Sequence, residues 1–392
     1  MNNIMKKYFL LVVAAVATLA SCSKMETIDN TPAKKITFQA ANYVPQVTKA
    51  PVSVLSDFTA FKCLAYLHAQ GIDLNADGTV NGTSFQNFFG ADGETVSVDN
   101  ANNPTEWAPS HTYYWPKGSQ SFVNFVAWYG VDGSNAATAP TVTYAYDGTA
   151  SKYKATLVWN YTSVAGNAAS NLLYADMAWR FKQNNNPATY GVSGASEGVP
   201  MLFHHALAQM NVKVYADGTS LTAGSGTVSD ANATWTIALE NPTITPVYNS
   251  GTLTLTNEDP GTAATTQAWT GGWAGSGSTG NIAASTLNVD KITKATANTL
   301  FNATCVLPQT IGATVVLNFD LRITTTYNSN PTNPNEELIP VSIKFNDMGT
   351  TAWAQNTKYT YYIKIIPSQA EVLFDPALEA DWSTIEGTEQ TL

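Results

Sequence analysis

The chain has 392 residues, 44% of them hydrophobic and 11% aromatic, enough to bury a large core in one large domain or two to three ordinary ones. Charged residues make up only 12%, about half the ~25% usual for soluble domains, and polarity comes from Thr, Ser, Asn and Gly instead. That composition excludes an intrinsically disordered chain and a coiled coil or helical bundle, and a net charge of −10 argues against nucleic acid as a partner.

At the N-terminus, Lys6-Lys7 precede an apolar run from Tyr8 to Ala20. That run falls short of the ~20 residues a membrane-spanning helix needs. A charged start, an apolar centre and then small residues describe a secretory signal, here residues 1–21. Leu19-Ala20-Ser21-Cys22 resembles the lipobox of bacterial lipoproteins, in which the cysteine is acylated and becomes the new N-terminus. The alternative is an ordinary signal cut nearby, with Cys22 incidental. Each buried CH₂ of an acyl chain contributes ~0.8 kcal/mol, so several chains on Cys22 would anchor the protein in a membrane firmly. Of the other cysteines, Cys63 and Cys305 lie in apolar segments and read as buried thiols, with one long-range bridge as the alternative.

Residues 23–34 are polar and read as a tether. From Lys35 onward the pattern has a period of two, the signature of half-buried strands. Ile36, Phe38 and Ala40 share one face, as do Phe61, Cys63, Ala65 and Leu67. Phe122 to Tyr129 is nearly continuous in apolar residues, as expected for a strand covered on both faces. Met210, Val212 and Val214 alternate with polar neighbours. Val315, Leu317, Phe319, Leu321 and Ile323 alternate with Val316, Asn318, Asp320 and Arg322, and Tyr359, Tyr361, Ile363 and Ile365 form another such face. Ala-Asp-Gly at 76–78, 91–93 and 216–218 suggests tight turns between antiparallel strands. Only Leu173, Met177 and Phe181 fit a helical stripe. The Gly/Ser/Thr/Asn-rich stretches 184–198, 220–233 and 259–285 read as surface loops, the first as a domain boundary. The expected fold class is all-β, with two β-sandwiches at 50–198 and 199–392.

Chemistry is sparse. The histidines are His68, His111, His204 and His205; adjacent residues on a strand point to opposite faces, so His204 and His205 cannot chelate one ion together. No nucleophile elbow, HExxH or phosphate loop occurs, and no spacing singles out a catalytic carboxylate pair, so neither an enzyme nor a cofactor is expected. Asp73-Leu74-Asn75-Ala76-Asp77-Gly78 matches the first half of a Ca²⁺ loop, but the twelfth position is Ser84, so Asp73, Asn75 and Asp77 read first as a turn and second as a weak cation site. Trp269 and Trp273, in a Gly-rich stretch, are the aromatic pair best placed to stack on a glycan.

The order of short segments along the chain resembles that of the fimbrillins, lipoprotein precursors of type V pili. The segments are the lipobox, Ile36-Thr37-Phe38-Gln39-Ala40, Thr48-Lys49-Ala50, Asn171-Leu172-Leu173-Tyr174-Ala175 and Phe203-His204-His205-Ala206-Leu207-Ala208-Gln209-Met210. They continue with Leu307-Pro308-Gln309-Thr310, Asn356-Thr357-Lys358-Tyr359-Thr360-Tyr361, Val372-Leu373-Phe374-Asp375-Pro376 and Asp381-Trp382. The resemblance implies two tandem transthyretin-like β-sandwich domains. It also implies export, acylation at Cys22 and a place on the cell outer membrane, surface-exposed.

The family's maturation removes the first strand and lets a strand of the next subunit take its place. Here residues 22–49 would be the tether and removable segment, with Ile36 and Phe38 as its apolar anchors and the Lys49–Ala50 bond as the cut. Relatives are cut after arginine, but the only arginines here are Arg180 and Arg322, so Lys49 must serve or the subunit stays uncut as an anchor. Val372, Phe374, Trp382 and Ile385 are the donor candidates, the alternative being that this tail closes its own domain. Cutting removes six lysines and two acids and takes the charge from −10 to −14. The partners implied are other pilus subunits, as homo- or hetero-polymer, the outer membrane through the lipid anchor, and a host or bacterial surface receptor. Without an added binding domain the chain reads as a stalk subunit in the fimbrium. The rival reading is a surface lipoprotein that binds glycans through exposed aromatics and does not polymerise.

Overall fold

The computed structural model describes residues 34–42, 58–69, 85–100, 103–117, 121–132, 135–149, 152–163, 170–182, 198–222, 227–261, 264–274 and 279–381. In chain order the main strands begin with β1 (Phe38–Asn42), β2 (Ala60–Ala69), β3 (Glu94–Asn100), β4 (Asn103–Pro109), β5 (Ser121–Asp132), β6 (Thr141–Asp147) and β7 (Lys152–Thr162). There follow β8 (Ser170–Ala175), β9 (Met177–Phe181), β10 (Val199–His205), β11 (Ala208–Ala216), β12 (Ala233–Tyr248), β13 (Ser250–Glu258) and β14 (Thr270–Ala274). The last are β15 (Asn298–Val306), β16 (Val316–Tyr327), β17 (Asn330–Lys344), β18 (Thr357–Ile366), β19 (Glu371–Phe374) and β20 (Leu378–Asp381). The described residues contain two short 3₁₀ turns and no α-helix, so the chain is all-β.

The pairings of the first half close on themselves. β1 pairs with β4, β4 with β3, β3 with β2, β2 with β5, β5 with β8, β8 with β10, and β10 with β1 again. The period-two faces of these strands point into one core that holds Ile36, Phe38, Phe61, Cys63, Trp107, Phe125, Met201 and Phe203. The opposite faces of β2, β5 and β8, carrying Leu64, Val126, Trp128 and Leu172, pack against an outer sheet ordered β14-β13-β7-β6. Both faces of β5 are therefore covered, which explains its unbroken apolar run.

A further sandwich encloses Val212, Trp235, Ile237, Leu317, Leu321, Tyr361 and Ile363 between two sheets. One is built around β12, β16 and β17, the other around β15, β11 and β18. Backbone pairing crosses position 198 in three places: Val199–His205 joins the first ring, Ser250–Glu258 lies beside β7 in the outer sheet, and Thr265–Gln267 pairs with β9.

Several sequence expectations are corrected. Leu173, Met177 and Phe181 lie on strands β8 and β9, because both faces of this stretch are buried and an apolar run without alternation is ambiguous between periods. The stretch 220–233 holds a hairpin pairing Ser220–Thr222 with Thr227–Ser229. The stretch 259–285 holds three short strands, at Thr265–Gln267, Thr270–Ala274 and Thr279–Ala283. Ala91-Asp92-Gly93 joins two segments that both pair with β2, and Ala216-Asp217-Gly218 leads from one sheet to another, so neither closes a hairpin.

Candidate functional site: the seat of the first strand

β1 is a stave of the ring. It runs parallel to β10 over five residues, from Phe38 opposite Val199 to Asn42 opposite Phe203, and antiparallel to β4 with Phe38 opposite Trp107. Just before it, Lys35 bridges to Tyr114, the Ile36 N–H donates to the Tyr113 carbonyl (2.9 Å) and the Val199 N–H donates to the Thr37 carbonyl (2.8 Å). The segment thus has backbone partners on both sides, as a central strand requires.

The alternation of Ile36-Thr37-Phe38 decides what points inward. Ile36 is 1% exposed and Phe38 0%. The Phe38 ring meets three others edge-on: Phe125 (5.3 Å between centroids), Phe61 (6.1 Å) and Phe89 (6.3 Å). Edge-to-face contacts of this kind add to area burial, which by itself is worth about 1.5–3 kcal/mol for a large side chain. Gly198 makes the close approach of β10 feasible: a Cβ there would stand 2.7 Å from the Phe38 carbonyl carbon.

A carboxylate braces the segment that pairs with Lys35 and Ile36. Glu94, only 6% exposed, accepts hydrogen bonds from the Ser110 hydroxyl, the Tyr113 hydroxyl (2.9 Å) and His111 Nδ1 (3.2 Å). Burial alone would raise its pKa, but these donors outweigh it and hold the carboxyl below its usual range. The Tyr113 ring packs on Phe89, 4.4 Å away, so the brace reaches the wall of the Phe38 socket. These four residues, separated by 16 to 19 positions from Glu94 to its donors, gave no sequence signal.

The donor candidates fall into two groups. Val372 and Phe374 lie on β19, which pairs antiparallel with β18, Val372 opposite Ile365 and Phe374 opposite Ile363. They form an edge of their own sheet, with Leu373, Phe374 and Leu378 exposed. Trp382 and Ile385 lie outside the described residues, as do Cys22, Lys49, Ala50 and the turn bearing Asp73, Asn75 and Asp77.

The other candidates are packed into the core or tied to it. Trp269 is 8% exposed and its Nε1–H donates to the Ala175 carbonyl (2.9 Å), while the half-buried Trp273 donates to the Ala206 carbonyl (2.6 Å). Neither is the open platform a glycan needs. The intervening glycines let β14 lie close on β13, where a Cβ on Gly271 would stand 2.2 Å from the Thr254 carbonyl oxygen.

His204 Nε2 lies 2.7 Å from Asp176 Oδ1, and His205 Nδ1 lies 3.1 Å from Asn171 Oδ1. Burial, then the charges of Lys358 and His204, push His205 down to about 3, so it is neutral. Cys63 and Cys305 are free, buried thiols, and burial raises both. Among the described residues no three His, Cys, Asp or Glu side chains converge as a metal site.

A family model described as fimbrillin-like matches residues 72–382. Among crystal structures, the chain is similar to a fimbrial protein from Bacteroides vulgatus, with 15% identity over 89% of this chain and 99% of that one and a TM-score of 0.49. It is also similar to a protein described as a putative cell adhesion protein from Bacteroides uniformis, with 17% identity, the same coverage and a TM-score of 0.42. No curated protein matches.

Proposed function

Because the chain belongs to the fimbrillin-like family, we propose that it is a non-enzymatic structural subunit of a surface pilus, built as a stalk component and serving adhesion. It is exported as a lipoprotein acylated at Cys22 and held on the outer membrane until the Lys49–Ala50 bond is cut. The cut releases the segment that carries Ile36 and Phe38. A strand from the next subunit then takes the vacated place, with Val372, Phe374, Trp382 and Ile385 as donor candidates. Two tandem sandwiches belong to the same reading, with Val199–His205 and Ser250–Ala274 assigned to the leading one by their pairings.

The observation that carries this reading is the position of β1 as a stave paired on both sides. Its removal would leave unpaired backbone on β4 and β10 and an empty aromatic socket between them. Unsatisfied backbone and exposed apolar surface are both costly, and an added strand relieves both at once. The glycan-binding alternative loses its support, because Trp269 and Trp273 are hydrogen-bonded to the ring they cover.

The test compares a chain that starts at Ala50 with one that keeps residues 23–49. The shorter chain is expected to polymerise and the longer one to remain monomeric. Equal behaviour, with both folded, would sink the proposal. N-terminal sequencing of cell-surface material checks the order of events: a blocked Cys22 marks the anchored precursor and a free Ala50 the matured subunit.

A further inference from the structure

We infer that β6 is a self-association edge, along which two copies of this chain join their outer sheets by antiparallel β6–β6 pairing. β6 has a single partner among the described residues, β7, and so carries a row of backbone groups on its free side. Edges of that kind are normally blunted by proline, glycine, charge, a bulge or short length. The other long edges among the described residues carry such devices. β17 contains Pro331, Pro334, Pro340, Glu336 and Glu337. β15 is bulged against β11, with Ala303 at φ 45°. β14 is five residues long and contains Gly271 and Gly272, and β19 is only four residues long. Thr141-Val142-Thr143-Tyr144-Ala145-Tyr146 has none of them along its length; Pro140 and Asp147-Gly148 stand only at its two ends.

The side chains fit a second copy. Thr141, Thr143 and Ala145 point to the open face and are exposed, while Val142, Tyr144 and Tyr146 lean on the core between the sheets without being fully covered. Tyr144 is stacked on Phe85 with centroids 4.0 Å apart and is met edge-on by Tyr66, so the inward row is held in place from within. An antiparallel copy would set threonine and alanine against each other on one face and valine and tyrosine on the other, with no like charges opposed. Cross-strand pairs of β-branched and aromatic residues contribute about 0.2–1 kcal/mol each. The outer face also continues without a step, since Thr143 is in register with Thr156, Thr256 and Thr270 across the four strands.

Seven paired residues span about 24 Å, a strip short of the ~800 Å² per partner of a standard interface. Single copies therefore associate weakly. Where many copies are linked in a row, the same contact multiplies and joins rows side by side. The pairing itself does not depend on strand exchange, and a chain that never polymerises would still show it.

The experiment uses the full chain with Cys22→Ser and Thr143→Cys, crosslinked by a short bis-maleimide that bridges thiols at any nearby register; the other two thiols, Cys63 and Cys305, are buried. Two controls place the thiol elsewhere, Thr254→Cys in the middle of the same face and Thr332→Cys on the proline-bearing edge. Thr143→Cys is expected to give at least about tenfold more dimer than either control, and Thr141→Asp in the same chain to abolish the excess, because full antiparallel overlap of residues 141–147 sets that position opposite Asp147 of the second copy. Equal yields at all three positions would mean random collision, and highest yield at Thr254 would mean stacking of faces; either result overturns the inference.

Discussion

A Cβ on Gly198 would stand 2.7 Å from the carbonyl carbon of Phe38, 160 positions earlier in the chain. The contact joins the two strands whose pairing fixes the first segment in the ring. It predicts that Gly198→Val, which overfills this gap, weakens the seat of β1 by about 1–3 kcal/mol. Hydrogen exchange checks it: the amides of Phe38 to Asn42 are expected to lose protection while β16 keeps its own. Unchanged protection at β1 would show that the gap yields freely.

Phe38 and Leu373 are both large apolar residues on strands, but one is 0% and the other 42% exposed. Phe38→Ala is expected to cost about 3–5 kcal/mol, from lost burial and the cavity left among Phe61, Phe89 and Phe125. Leu373→Ala is expected to stay within ~0.5 kcal/mol. Denaturant midpoints of the two variants compare them directly, and similar losses would contradict the geometry.

The pair formed by Arg180 and Asp259 is enclosed, with Nη2 2.5 Å from Oδ2 and Nε 2.6 Å from Oδ1. The side chains are 7% and 2% exposed. Arg180→Met strands a buried carboxylate and is expected to cost about 3–5 kcal/mol, whereas Arg180→Met with Asp259→Leu recovers most of it. A double-mutant cycle by urea denaturation measures the coupling; additive losses would mean that the ion pair matters little.

Acid should loosen the ring through His205. Its folded pKa is depressed to about 3 from an ordinary 6.5, so between those values the unfolded chain binds the proton and the folded chain does not. Its contribution is therefore complete above about pH 6.5 and is lost as the pH falls toward 3. Between pH 7 and 5 this residue alone is expected to remove about 2 kcal/mol, and His205→Gln to flatten the profile by that amount. An unchanged pH profile in the variant would mean that the imidazole is solvated.

Ile36 and Phe38 were the most legible part of the seat, because alternation alone places them on one face. Gly198 was not, since it ends a polar, Gly-rich stretch that reads as a loop, and only the approach of β1 gives it a task. The brace on Glu94 was equally hidden: Ser110, His111 and Tyr113 are ordinary polar residues until β3 and the turn after β4 bring them together. Trp269 and Trp273 misled for a similar reason, as glycine-rich sequence looks open even where glycine serves to let strands touch.

What the sequence determined by itself was the class and the faces: strands of period two, few charges, no grouping of reactive side chains, and the inward turn of Phe38. These are local properties, set by neighbours one or two positions away. The tertiary structure alone decided which strands meet. That Phe38 lies between Val199 and Trp107, that Ser250–Ala274 returns to the first half of the fold, and that β6 is left with one neighbour all depend on contacts between distant residues. A strand's pattern states which side it buries, but the backbone hydrogen bonds that choose its partners are the same for every residue type.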